Sequence, residues 1–123
     1  MKRILIVDDA ATVRMYHRNI LEAAGYAVEE AVNGVEALEK SLQQPFELYV
    51  VDINMPKLDG YGFLRELRSQ DILQAPAIMV STEAESNDHQ LAFAAGANAY
   101  LIKPVKPEQL LIHVKLLIGE AQP

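Results

Sequence analysis

The sequence predicts an α/β fold of five successive strand–helix units, a parallel sheet with helices on both faces. Three observations carry this. Four short runs, Ile4–Val7, Leu48–Val51, Ala77–Val80 and Ala99–Ile102, are apolar without alternation. Such runs, rich in β-branched or aromatic residues, suit strands covered on both faces. Between them apolar residues recur at helical spacing, and strands alternating with helices predict right-handed crossovers in a parallel sheet. Finally, 123 residues that are 50% apolar contain enough material for one core and fit the usual size of a single domain.

The elements follow in order. After the strand Ile4–Val7, residues Val13, Tyr16, Ile20 and Ala24 share a helical face, and Gly25 is a C-terminal stop. Ala27–Ala31 is a weaker strand with only Val28 and alanines to bury, so an edge position is expected. Asn33 can cap a helix carrying Val35, Leu38 and Leu42, and Glu36 stands where a capping-box acid belongs. The strand Leu48–Val51 leads to a helix marked by Phe63, Leu64 and Leu67. The strand Ala77–Val80 leads to a helix that Ser86 or Asn87 can cap and Gly96 can end. That helix offers Leu91, Phe93 and several alanines as its apolar face. It buries less area than the others and is expected to be held less firmly. After Ala99–Ile102, Pro107 opens a fifth helix with Leu110, Leu111, Val114, Leu117 and Ile118. No linker or repeat interrupts this order. One domain over 1–123 is expected, with no output domain attached.

Composition narrows the function. A net charge of −6 repels nucleic-acid phosphates and anionic membranes, so neither is an expected partner. The absence of cysteine excludes disulfides, cysteine nucleophiles and thiolate metal sites. The start MKRILIVDD has an apolar run of only four residues that ends in two acids, unlike a signal peptide. No stretch approaches the ~20 apolar residues of a membrane span, and a cytoplasmic location is the default expectation. His17, His89 and His113 fall on three helices without metal-ligand spacing and read as surface or partly buried residues.

In an open parallel α/β sheet, ligands bind beyond the carboxyl ends of the strands. There the sequence places Asp8 and Asp9, then Asp52, then Ser81 and Thr82, then Lys103. Taken singly, an aspartate after a strand is usually a cap or turn residue, Ser81 could cap the next helix, and a lysine before proline is usually a solvated charge. Together they occupy the same end of four strands and point to one site. Crowded carboxylates raise one another's pKa unless positive charge is supplied. Lys103 supplies one unit, and a divalent cation is the natural remainder. The hard oxygen donors favour Mg2+ or Mn2+ over zinc or copper.

The segments ILIVDDAATVR, VVDINMPKLDGYGFL, IMVSTEAE and GANAYLIKP, in this order, make the chain resemble the receiver domains of two-component response regulators over essentially its whole length. The resemblance is strongest to the single-domain chemotaxis type. It implies a flavodoxin-like (βα)5 doubly wound three-layer sandwich with a five-stranded sheet of order 2-1-3-4-5. It implies that Asp52 is the phosphoacceptor, that Asp9, Asp52 and the Asn54 backbone carbonyl hold the metal directly, and that Asp8 acts through a water. Lys103 would pair with the phosphoryl oxygens and Ser81 would hydrogen-bond them. Tyr100 matches a switch aromatic that moves inward as Ser81 is drawn to the phosphate. The Lys103–Pro104 bond resembles one that is cis in the family. Thr82 replaces the usual alanine or glycine. With Asn54 and Glu83 it occupies rate-tuning positions, and the Asn54–Glu83 pair suggests a short-lived phosphoryl group.

The same resemblance implies a phosphoacceptor that promotes its own phosphorylation and dephosphorylation rather than an enzyme. The donor would be a sensor histidine kinase or a phosphotransfer protein. A downstream protein target would be contacted through the fourth helix, fifth strand and fifth helix by a monomer able to dimerise on phosphorylation. Two rival readings stand beside it. A magnesium-dependent phosphohydrolase with an aspartate nucleophile would need a general acid near Asp52, where Asn54 stands. A non-phosphorylated binding module of the same fold would not need the full set of site residues.

Overall fold

A computed structural model describes residues 2–83 and 86–121. Its elements are β1 (Arg3–Val7), α1 (Ala11–Ala23), β2 (Ala27–Ala31), α2 (Gly34–Gln43), β3 (Leu48–Asp52), α3 (Gly60–Ser69), β4 (Ala77–Ser81), α4 (Ser86–Ala95), β5 (Ala99–Ile102) and α5 (Pro107–Ile118). All strand pairings are parallel and the sheet order is β2-β1-β3-β4-β5, the expected doubly wound arrangement. β2 lies at an edge, as its thin apolar content requires. Asp52 and Ser81 are the last residues of their strands rather than the first residues beyond them.

Successive strand residues point to opposite faces, so each central strand feeds two cores. Leu5, Val7, Tyr49, Val51 and Met79 join Phe63, Leu64 and Leu67 on the side of α2, α3 and α4. Ile4, Ile6, Val50, Ile78 and Val80 join Leu21, Leu110 and Val114 on the side of α1 and α5. Both faces being covered is why these strands read as unbroken apolar runs.

Helix faces differ more from expectation. α1 buries His17 and Leu21. Ile20 and Ala24 only flank that stripe, and Tyr16 is 42% exposed. The buried stripe is rotated by one position, and His17 is a core residue rather than the surface or partly buried one expected. α2 keeps its expected cap: Asn33 Oδ1 accepts from Glu36 N at 2.8 Å, and the Glu36 carboxylate accepts from Val32 N at 3.2 Å. Its buried side, however, is Gly34, Ala37 and Ser41, and Val35 and Leu42 face outward. Small residues let α2 approach closely, with Gly34 N donating to Leu58 O at 3.1 Å. α4 likewise buries Ala92 and Ala95 while Leu91 and Phe93 are exposed. Ser86 and Asn87 already lie within α4, and residues 84 and 85 before them are outside the described set. In α5, Pro107 sits in the first turn, Leu110 and Val114 are buried, and Leu111, Leu117 and Ile118 are partly buried. Gly25 and Gly96, at φ 97° and 117°, end α1 and α4 in the left-handed region that glycine favours. No helix among the described residues is long and apolar enough to cross a membrane.

Gly60 ties the fold to the end of β3. Its N–H donates to Ile53 O at 2.8 Å. A Cβ at this position would lie 2.5 Å from the Asp52 carbonyl oxygen and 2.9 Å from Ile53 Cα. Backbone cannot yield as a side-chain tip can, so Gly60→Ala is expected to cost about 1–3 kcal/mol in urea denaturation. Gly62→Ala, which first meets the Leu58 Cδ1 methyl at 2.6 Å, should cost clearly less. Equal losses would contradict this packing.

Candidate functional site

The sheet order sets β1 directly beside β3 and brings their carboxylates together. Asp8 follows β1 and is buried. Its N–H donates to Ala31 O at 3.1 Å, and its Oδ1 accepts from Ala10 N at 2.9 Å. The expected turn role of this aspartate is thus real, but it uses only one oxygen. The other oxygen accepts from Lys103 Nζ at 2.9 Å, and the same ammonium donates to Asp52 Oδ1 at 2.9 Å. Asp9 is exposed beside them. One carboxylate oxygen from each of Asp8, Asp9 and Asp52 lies within 4.8 Å of the others. The juxtaposition expected from the strand ends is therefore present, and the donors are all hard oxygens suited to one small divalent cation. Asn54, two residues past Asp52, is exposed at the same edge.

Lys103 is placed by β5: its N–H donates to Ser81 O at 2.8 Å, and the Lys103–Pro104 bond is cis, as expected. Ser81 is buried, and its hydroxyl accepts from Glu83 N at 3.1 Å. Thr82 and Glu83 are exposed. Thr82 lines a cavity of about 360 Å³ with Tyr16, His17, Lys103, Pro104 and Val105. Tyr100 is partly buried against the core, and its hydroxyl donates to Glu83 O at 2.8 Å.

The pocket carries more negative charge than its lysine can neutralise. Burial pushes the Asp52 carboxyl above its ordinary value. The Lys103 hydrogen bond pulls it down without overturning the rise, and Asp8 and Asp9 push it further up. Burial opposes the charge on Lys103, yet its bonds to Asp8 and Asp52 outweigh that and hold its pKa above the usual lysine value. Burial is thus the chief reason the Asp52 carboxyl is raised, with the neighbouring carboxylates adding to it, whereas Lys103 is raised by those carboxylates alone.

Sequence reasoning missed three neighbours of the site. Arg14 donates to the Asp8 carbonyl at 2.7 Å and to Glu30 at 2.8 Å, bracing Asp8 against β2. His17 is buried with its Nδ1 unpaired, and burial holds its pKa below the ordinary value. His89 stacks on Tyr100. Nothing in the local sequence marks these residues, because the environment of each is supplied by other elements. His113 is peripheral, its Nδ1 hydrogen-bonded to Gln109 O at 2.8 Å.

Comparison with known proteins places this geometry among others. The model of the response regulator receiver domain family matches residues 4–115. The transcriptional regulatory protein ResD of Bacillus subtilis is 36% identical over 119 residues, 97% of this chain and 49% of ResD. The chain thus spans about half the length of the curated transcriptional regulators it matches. The structure of the Vibrio cholerae chemotaxis protein CheY4 superposes with a TM-score of 0.90 at 36% identity, covering 95% of this chain and 98% of that one. The receiver domain of a Pseudomonas aeruginosa sensor histidine kinase, described with magnesium coordinated in its active-site cleft, gives a TM-score of 0.89 at 30% identity, covering 97% of this chain and 98% of its own.

A carboxyl whose pKa is raised by folding stabilises the fold below its unfolded pKa and loses that contribution as pH rises through the folded value. At neutral pH the ionised Asp52 is therefore a cost. Asp52→Asn should raise the melting midpoint by a few degrees at pH 7, and the gap should close below about pH 4. Thermal melts of both proteins at the two pH values check this, and an Asn variant no more stable at pH 7 would contradict it.

Proposed function

Since the chain belongs to the response regulator receiver domain family, we propose that Asp52 is the residue on which this signalling switch accepts its phosphoryl group. The observation that carries this is the shared ammonium of Lys103, held at 2.9 Å from both Asp8 and Asp52 with Asp9 alongside. It leaves a buried carboxylate oriented at the open end of the sheet, with positive charge already beside it.

The Asp52 carboxylate attacks phosphorus in line. The new O–P bond forms as the donor's bond to phosphorus breaks. Lys103 turns from Asp52 toward the transferring oxygens. When bound, Mg2+ (or Mn2+), held by Asp9, Asp52, the Asn54 carbonyl and, through water, Asp8, supplies the remaining positive charge. The acyl phosphate product adds roughly two negative charges to the pocket. The Ser81 hydroxyl, now accepting from Glu83 N, rotates to donate to the phosphoryl group. The β4–α4 connection and Tyr100 follow, and α4, β5 and α5 present the altered face.

The donor fitting this chemistry is a phosphohistidine on a sensor kinase or a phosphotransfer protein, with a small acyl phosphate as substitute. The output is contact with a downstream protein, from a cytoplasmic monomer that can pair when phosphorylated. The net charge of −6 argues against nucleic acid or a membrane surface as partner. Asn54, Thr82 and Glu83 line the open side and set how fast the phosphoryl group is lost. The chain accepts and sheds its own phosphoryl group and turns over no separate substrate.

Incubation with magnesium and acetyl phosphate should add one phosphoryl group by intact mass, and Asp52→Ala should add none. An unmodified wild type would remove the switch reading, and steady release of phosphate from a phosphomonoester would favour a hydrolase. The β-branched, exposed Thr82 narrows the approach beside Lys103. Thr82→Ala should therefore speed phosphorylation or phosphate loss several-fold in a radiolabel assay, and equal rates reject that role.

A further inference from the structure

α4 is thinly held. Only Ala92 and Ala95 are buried along it, and two alanines cover little area. At its C-terminal end, Arg68 of α3 donates to Gly96 O at 2.9 Å. At its N-terminal half, the Tyr61 hydroxyl reaches Asp88 O at a marginal 3.5 Å. This half also meets the sheet through a ring stack: His89 lies over Tyr100 with centroids 4.1 Å apart and planes 24° from parallel. The His89 Nε2 is buried and makes no hydrogen bond. On that edge the imidazole works as a flat surface rather than as a polar group.

The stack has a consequence for Tyr100. Its hydroxyl donates to Glu83 O, on the same turn whose Glu83 N–H donates to Ser81. Tyr100 is thus docked on Glu83, and its ring is stacked there against His89. We infer that His89 is a positioning residue that holds Tyr100 in the docked arrangement favoured by phosphorylation and couples that arrangement to α4. This rests on the proposed phosphoacceptor reading. By favouring the docked Tyr100, the stack lowers the conformational cost that phosphorylation must meet, so the switch responds at a smaller differential binding energy.

The test uses the full chain with magnesium and beryllium fluoride, an acyl-phosphate mimic. Loss of a close aromatic pair should raise the half-saturating fluoride concentration about three- to tenfold in His89→Ala. His89→Phe, which keeps the ring, should stay close to wild type. In a Tyr100→Ala background, His89→Ala should add nothing further. A second measurement reads the stack without any phosphoryl mimic. The ring-proton NMR signals of Tyr100 should lose their ring-current shift in His89→Ala and keep a comparable one in His89→Phe. A wild type that ignores beryllium fluoride would overturn the phosphoacceptor reading and leave the NMR measurement to decide the stack. Unchanged Tyr100 signals in His89→Ala, or a fluoride response that weakens equally in the Tyr100→Ala background, would overturn the role of His89.

Discussion

An imbalance of charge at one end of the sheet governs this molecule. Asp8, Asp9 and Asp52 bring carboxylate oxygens within 4.8 Å of one another. Asp8 and Asp52 share one ammonium between them. Removing charges from water is expensive unless they are paired, and here the pairing is incomplete. Burial first, and the neighbouring carboxylates after it, push Asp52 upward, and the same carboxylates hold Lys103 above its ordinary value. A site built this way is unstable toward protons, cations and phosphoryl chemistry alike, and that sensitivity is what a switch needs.

The fold sustains the imbalance by being rigid around it. β1, β3 and β4 are buried on both faces, and Gly60 packs directly on the Asp52 carbonyl. Asp8 is fixed by Ala10 and Arg14 at the start of α1 and by Lys103 just beyond β5. Stability spent on holding like charges together must come from such packing, in keeping with the general trade between function and stability at active sites.

The opposite edge is built differently. α4 meets the sheet through alanines and one stacked histidine, with Leu91 and Phe93 left outside. Elements with few buried apolar contacts are the ones that shift most readily. A rigid acidic pocket close to a loosely held helix is a physically sensible way to turn a local charge change into a change of surface.

How much of this was legible in the sequence follows from which interactions are local. The unbroken apolar runs marked the strands to within a residue because burial on both faces leaves no other pattern. The strand-end residues disclosed Asp8, Asp9, Asp52, Ser81 and Lys103, since in a parallel sheet every carboxyl end points the same way. Helix faces were read less well: Val35, Leu42, Leu91 and Phe93 turned outward because small residues allowed closer approach on the other side. The buried state of His17, the brace from Arg14 to Asp8, and the His89–Tyr100 stack were decided by tertiary structure alone. Each depends on two segments distant in the chain meeting at a particular angle, and no pattern within either segment encodes that meeting.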